Sequence, residues 1–168
     1  MIATVTEDAR VQVATSIEVR CATPADREAL VAMYLSFEPK GISLGLPPRK
    51  EPERWLDQVV RYPNFVVCVD GRIVGHGVMC PEGTRGEVAV FIHQDYRGRG
   101  LGKRLLGVMI NEARRLGLRQ VWGITEYDNV PMLRLAYSLG FVHGSDPREF
   151  YLDLDEKTST GHEEIAAA

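Results

Sequence analysis

Residues 87–103 read EVAVFIHQDYRGRGLGK, and this stretch decides how the chain is organised. An apolar run typical of a strand gives way to a tight turn and then to a helical pattern, with three glycines at the junction. Glycine costs a helix roughly 1 kcal/mol relative to alanine, so three together indicate close approach to the backbone rather than a tight turn alone. The first amides of a helix lack partners within it and carry partial positive charge. A phosphate-binding turn is therefore expected, flanked by Arg97, Arg99, Lys103 and Arg104.

The spacing of the glycines narrows the choice of phosphate ligand. The Gly-x-Gly-x-x-Gly pattern of dinucleotide-binding folds would need glycine where Lys103 stands. A Walker A loop would need glycine at Arg97 and Ser or Thr at Arg104. The pattern that does fit is Arg-x-x-Gly-x-Gly, made by Arg97, Gly100 and Gly102 directly after an apolar strand.

With this pattern, residues 93–102 closely resemble the acyl-CoA loop of the GNAT superfamily of N-acetyltransferases. Downstream, Asn129 and residues 139–141 (Leu-Gly-Phe) resemble the second motif of that family, and the resemblance covers about residues 17–154. It implies acetyl-CoA as co-substrate and a sheet that splays after the strand at 88–92 to admit the thioester. No metal is expected, because neither the cysteines nor the histidines have the spacing of metal ligands. The cofactor contacts that it implies come from Val90, Phe91, Ile92, Arg97, Gly98, Arg99, Gly100, Leu101, Gly102, Lys103 and Asn129.

Length and composition limit the class of protein. A chain of 168 residues with 45% hydrophobic residues suits one domain with a real core. The net charge of −3 and the pI near 5.8 argue against a nucleic-acid partner. Residues 97–119 nevertheless carry +6, which leaves −9 for the remainder. Such a division would attract a polyanionic cofactor and a cationic acceptor to different places, although the later arginines fit a solvated helix face equally well.

The cysteine pattern and the lack of recognisable targeting signals favour a cytoplasmic protein. The three cysteines form no Cys-x-x-Cys pair, which is typical of small fillers in a reducing compartment. The first ten residues lack the basic and apolar regions of a signal peptide, and no apolar run approaches the ~18 residues of a membrane span. We therefore expect a cytoplasmic protein with no membrane partner, and a homodimer is left open.

The periodicity and the turn signals predict an α/β fold with a mixed, mostly antiparallel central sheet, a central parallel pair and helices on both faces. Strand-helix-strand around the glycine turn requires the parallel pair, while hairpins at Asp70-Gly71 and Asp146-Pro147 are antiparallel. The domain is expected at 16–154, between a flexible arm at 1–15 and a disordered tail at 155–168. The predicted strands are 17–21, 65–69, 73–80, 86–92, 120–125, 141–143 and 150–154, and the predicted helices are 24–38, 53–62, 101–116 and 129–139.

Residues 38–52 contain four prolines and two glycines, which is loop composition. This loop carries Ile42, Leu44 and Leu46, so it is either a wall of an acceptor pocket or a loop pinned to the core. The helices on either side of it are expected to turn Leu35 and Val60 inward.

A primary amine that attacks a thioester must be neutral, and deprotonating a lysine-like amine at pH 7 costs about 4.6 kcal/mol. A general base would help, and the candidates are Glu87 on the cofactor strand and Glu126 at the end of the next strand. Residues 87–90 and 132–136 resemble the acetyltransferase domain of bacterial Pat-type protein lysine acetyltransferases, in which a strand glutamate is the proposed base. Glu87 is therefore preferred, and the alternative is an exposed glutamate at a strand end.

A general acid is harder to assign. Many GNAT proteins have a tyrosine four residues before the Gly-Phe pair, but here that position is Ala136 and Tyr137 comes one residue late. One helical step turns a side chain by about 100°, so Tyr137 is interpreted as core or rim, and solvent can protonate the thiolate. Asn129 either caps its helix or binds the cofactor arm. His76 is interpreted as a structural histidine, and no histidine is given a catalytic role.

Together these observations predict a single-domain N-acetyltransferase that moves the acetyl group of acetyl-CoA directly to a primary amine in a ternary complex. The amine belongs to a protein lysine or to a small molecule. A hypothesis of another class is a non-catalytic acyl-CoA-binding sensor, which Ala136 favours slightly because it removes the expected acid.

Overall fold

The computed structural model describes residues 14–154 as seven strands and four helices. Almost all of the predicted N-terminal arm and all of the predicted tail lie outside the described residues. Single 3₁₀ turns precede α1 and follow β4. The elements are β1 (Ile17–Cys21), α1 (Arg27–Leu35), α2 (Pro52–Val59), β2 (Asn64–Val69), β3 (Arg72–Glu82), β4 (Arg85–Ile92), α3 (Leu101–Arg115), β5 (Gln120–Ile124), α4 (Val130–Ser138), β6 (Val142–His143) and β7 (Glu149–Asp153).

The strands form one sheet in the order β1-β2-β3-β4-β5-β7-β6. Within residues 14–154, every neighbouring pair is antiparallel except β4 and β5, which run parallel as predicted. This parallel pair holds over three positions, from Arg85 opposite Gln120 to Glu87 opposite Trp122. Beyond Glu87 the two strands separate, so the splay that the family resemblance implied is present.

Alternation along the strands builds a core on each face of the sheet. On β4, Val88 and its neighbours at even positions pack with α3 and α4, whereas Phe91 packs with α1 and α2. The prediction of helices on both faces is confirmed. None of the described helices is long and apolar enough to cross a membrane.

Two glycines of β3 allow close packing. A Cβ at Gly77 would lie 2.6 Å from the sulfur of Met109 on α3, and one at Gly75 would lie 2.6 Å from Cδ1 of Ile92. Both distances are shorter than real contacts allow. The absence of a side chain at Gly77 therefore lets α3 lie directly against β3, and its absence at Gly75 makes room for the side chain of Ile92 on β4.

Two predicted core positions are wrong. Leu35 is 58% exposed and Val60 is 70% exposed. Leu35 follows the buried Tyr34, and one helical step of about 100° turns it away from the sheet. The second helix ends at Val59 and not at Tyr62, and the chain then turns through an amide of Tyr62 that donates to the carbonyl of Val59 at 3.0 Å. Val60 lies in that turn and points to solvent.

Candidate active site

A cavity of about 530 Å³ lies where β4 and β5 part. Its walls come from four places: β4 from Glu87 to Ile92, the loop between α1 and α2, the glycine turn with the start of α3, and the start of α4. The predicted acceptor-side loop is thus a wall of the cavity. Ile124 of β5 and Phe150 of β7 also line it, so both of the strands that part contribute to the cavity.

The glycine turn is open at its surface. Gly98 and Gly100 have φ of +73° and +75°, a conformation that L side chains rarely adopt. A Cβ built on either glycine would have no other atom of residues 14–154 within 4 Å, so the space is free for a ligand. Gly100 is the N-cap of α3, and no side chain of the described residues caps that helix end. Unpartnered amides at a helix start fit a diphosphate.

Gly102 serves a different purpose. A Cβ there would lie 3.0 Å from Cδ2 of Leu135 on α4, so this glycine allows α3 and α4 to approach each other. It also lines the cavity. The third glycine of the motif is therefore explained by packing between helices.

The structure turns the two arginines of the glycine turn towards main-chain carbonyls. Arg97 donates from Nε to the carbonyl of Ile92 and from Nη2 to the carbonyl of Glu38, both at 2.8 Å. Its guanidinium carbon lies 5.0 Å from the centre of the Phe37 ring, and burial lowers its pKa. Arg99 donates to the carbonyl of Asp95 at 3.1 Å and does not line the cavity formed by residues 14–154. Lys103 does line it.

Glu87 stands at the point where the parallel pairing ends. It lines the cavity, and it lies opposite Cys80 in the antiparallel register with β3. The residue as a whole is exposed, yet burial of the carboxyl against its neighbours, followed by the negative charge of Glu82, raises its pKa. A raised pKa suits a general base near neutral pH. Glu126, the alternative base, is not among the described residues that line the cavity.

Sequence reasoning missed Thr125 and Ser43, two polar residues that connect the walls of the cavity. The buried hydroxyl of Thr125, at the end of β5, accepts a hydrogen bond from Nδ2 of Asn129 at 2.8 Å. The same hydroxyl lies 3.4 Å from Oγ of Ser43 in the loop wall. Asn129 lines the cavity and does not cap α4 with its side chain. No short motif marks a contact between residues 82 positions apart.

Gln94 was also missed, although it lies inside the family-like segment. Its Nε2 donates to the carbonyl of Ser36 at 2.7 Å, and its Oε1 accepts from the amide of Glu38 at 2.9 Å. Arg97 also donates to the carbonyl of Glu38. The segment that leads into the glycine turn therefore holds the start of the loop wall. The two sides of the cavity are thus connected by hydrogen bonds.

His76 lies fully buried on β3, opposite Phe91 of β4, in a network of three side chains. Nδ2 of Asn64 donates to the carbonyls of Val59 and Tyr62, so its Oδ1 faces Nε2 of His76 at 2.7 Å. Nε2 therefore carries the proton, and Nδ1 accepts from the hydroxyl of Tyr34 at 2.7 Å. Burial lowers the pKa of His76 to about 3. These contacts give His76 a structural environment.

α4, the helix that could supply a general acid, places no tyrosine hydroxyl in the cavity. Ala136 is buried, and Tyr137 is 39% exposed with its hydroxyl 2.5 Å from Nε2 of His143. Tyr137 does not line the cavity built by residues 14–154. No cluster of three or more His, Cys, Asp or Glu residues in that range could hold a metal ion.

Comparison with known proteins places the chain in a class. Residues 26–141 match the acetyltransferase (GNAT) family, and the chain belongs to that family. It is 43% identical over 109 residues to the L-amino acid N-acyltransferase MnaT of Escherichia coli, covering 52% of this chain and 63% of that protein. It is 34% identical over 91 residues to the L-methionine sulfoximine/L-methionine sulfone acetyltransferase of Salmonella typhimurium, covering 51% of this chain and 53% of that protein. The alignments thus span between about half and two thirds of these relatives.

Solved structures agree with the fold. The structure of yncA from Salmonella typhimurium, determined with its cofactor acetyl-CoA, has a TM-score of 0.69 and 25% identity, covering 87% of this chain and 98% of that one. The GNAT domain of S. lividans PAT has a TM-score of 0.73 at 19% identity, covering 82% and 90%. The fold resemblance to a Pat-type domain is thereby confirmed.

Proposed function

We propose that this protein is an N-acetyltransferase that moves the acetyl group of acetyl-CoA directly to a primary amine while both substrates are bound. The observation that carries the proposal is the open turn at Gly98 and Gly100, placed at the mouth of a cavity where β4 and β5 part. Its relatives include N-acyltransferases and N-acetyltransferases, some of amino acids and some of a ribosomal protein alanine. These names support an amine acceptor.

The chain would hold acetyl-CoA at two places. Amides at the start of α3 would donate to the diphosphate, with Lys103 adding positive charge at the same end. Main-chain groups of β4 between 88 and 92, which have no partner on β5 among the described residues, would pair with the pantetheine arm as an added strand does. Asn129 lines the cavity from the α4 side.

Glu87 is the proposed general base. In the transfer, the amine nitrogen bonds to the thioester carbon and the C–S bond breaks, so one proton leaves the nitrogen and one reaches the sulfur. Glu87 lies at the closed end of the opening between β4 and β5, and its raised pKa suits proton acceptance near neutral pH. Ala136 and Tyr137 on α4 place no phenol in the cavity, and Tyr96, which does line it, directly precedes the glycine turn that we assign to the diphosphate. The departing thiolate would therefore take its proton from solvent.

We also propose a cytoplasmic location. All three cysteines lie within the described residues and are free thiols, as expected in a reducing compartment.

The test is to replace Glu87 by Gln and to measure two quantities separately, acetyl transfer to a panel of amines and CoA affinity by calorimetry. Loss of a general base is expected to lower kcat by about 10²- to 10⁴-fold while CoA affinity stays the same. Glu126→Gln is the matched control, because it removes the same charge outside the cavity wall.

Three outcomes contradict parts of this proposal. If Glu126→Gln carries the loss instead, the base is misassigned. If the wild-type protein binds CoA but acetylates no amine or protein in the panel, a non-catalytic acyl-CoA sensor replaces the enzyme. If CoA does not bind, the whole proposal is wrong.

A further inference from the structure

The wall of the cavity formed by residues 37–47 is apolar. This segment folds back on itself, because Ser43 and Leu46 exchange main-chain hydrogen bonds of 3.0 and 2.9 Å. Ile42 and Leu44 nonetheless remain 36% and 50% exposed. Apolar side chains grouped around a cavity favour a ligand with an apolar body. Those that line it are Phe37, Pro39, Ile42, Leu44, Leu46 and Pro47.

The charged side chains that line the cavity are not equally available to bind an acceptor. Of the described residues that line it, the carboxylates are Glu87 and Asp128 and the cations are Arg97 and Lys103. Lys103 lies on α3 beside the glycine turn, at the end assigned to the diphosphate. Arg97 is directed to the carbonyls of Ile92 and Glu38. Arg97 is therefore engaged with the main chain, and under the proposed function Lys103 would serve the diphosphate.

An acceptor with a carboxylate next to its amine would place that carboxylate near Glu87. Two carboxylates close together repel each other, and an unpaired charge is costly to remove from water. A site that takes an amino acid would need a cation or several hydrogen-bond donors to bind this carboxylate. The apolar segment 37–47 offers one side-chain hydroxyl, that of Ser43, which lies 3.4 Å from the Thr125 hydroxyl.

We propose that the acceptor is a primary amine carried on an apolar group, with no carboxylate next to the amine. The proposal rests on the proposed function, because it assigns the substrate class of the same site. The apolar group lies against residues 37–47, and the nitrogen faces Glu87. In this respect the chain differs from those relatives whose names specify amino acids as substrates.

The test compares phenethylamine with L-phenylalanine, which differ by the carboxylate alone. The purified full chain is incubated with acetyl-CoA, free thiol is measured, and rates are referred to the concentration of neutral amine. We expect kcat/KM to be at least 30-fold higher for phenethylamine. Equal or faster acetylation of L-phenylalanine overturns this inference and leaves the proposed function intact. Absence of thiol release with every amine, despite CoA binding, overturns both.

A variant pair tests the location. Ile42→Lys places a cation in the apolar wall and is expected to shift the preference at least tenfold towards L-phenylalanine. Val60→Lys introduces the same charge at an exposed apolar residue outside the cavity and should leave the preference unchanged. If folded Ile42→Lys keeps the wild-type preference, residues 37–47 do not contact the acceptor and the inference is wrong.

Discussion

Replacement of Gly100 by alanine separates the backbone role of this glycine from its role towards a ligand. Its φ of +75° disfavours any side chain, and the cost of such a conformation is about 1–2 kcal/mol. For a domain of this size, that corresponds to a decrease in Tm of about 2–8 °C. The free space around the new methyl group means that no clash adds to this cost. The methyl group would occupy the space that we assign to the diphosphate.

The expected loss of CoA affinity follows from the hydrogen bonds at stake. A hydrogen bond to a charged group contributes about 1.5–3 kcal/mol, so displacing one of them weakens CoA binding by about 10- to 150-fold. Calorimetric titration with CoA measures the affinity, and thermal unfolding measures the stability. Acetyl-pantetheine, which lacks the diphosphate, should lose much less affinity.

Gly117 provides the matched control at the other end of α3. It has a φ of +73°, its ideal Cβ has no described neighbour within 4 Å, and it does not line the cavity. Gly117→Ala should therefore lower Tm by a similar amount and leave CoA affinity unchanged. Equal affinity losses in both variants, or none in Gly100→Ala, would refute the assignment of the glycine turn to the diphosphate.

Two further predictions concern the network around the cavity. His76 is held neutral in the folded protein with a pKa of about 3, so the stability that it contributes above pH 6.5 is lost as the pH falls. Between pH 7 and 4.5, urea unfolding should show the wild type losing about 2.5 kcal/mol more than His76→Gln; equal losses would show that His76 titrates normally. Gln94→Ala removes two hydrogen bonds to residues 36–38 and should raise the acceptor KM about 3- to 10-fold without changing CoA affinity. A fall in kcat with unchanged KM would contradict this positioning role.

Local chemistry made much of the fold predictable. The turn at Asp70-Gly71 follows from two residues that tolerate positive φ, and both adopt it, at +49° and +79°. The helix after the glycine turn ends at Arg115, close to Gly117, whose positive φ is a common helix stop. These signals act over a few residues, so a single sequence is enough to read them.

Contacts between distant parts of the chain were not predictable in the same way. The contact of Arg97 with a phosphate stays a prediction, whereas its hydrogen bond to the carbonyl of Glu38, 59 residues away, could not be read from the sequence. His76 was interpreted as structural because histidine is often half buried, but its partners Tyr34 and Asn64 come from distant parts of the chain, and the position of Tyr34 depends on how α1 packs on the sheet. The exposure of Val60 depends on where a helix gives way to a strand, which tertiary packing decides.

The short pairing between β4 and β5 has a consequence for what the protein can admit. An unpaired strand edge normally promotes aggregation, because an extended polypeptide from another molecule can pair with it. Here the unpaired part of β4 is recessed between two halves of one sheet and lined by residues 37–47. A single extended chain, such as the pantetheine arm proposed above, can pair with this edge, whereas a strand that belongs to another sheet would bring its neighbouring strands with it. The position of this edge inside the cavity thus protects it, as charged residues or prolines protect exposed strand edges in other proteins. Ligands that are single extended chains can still reach it.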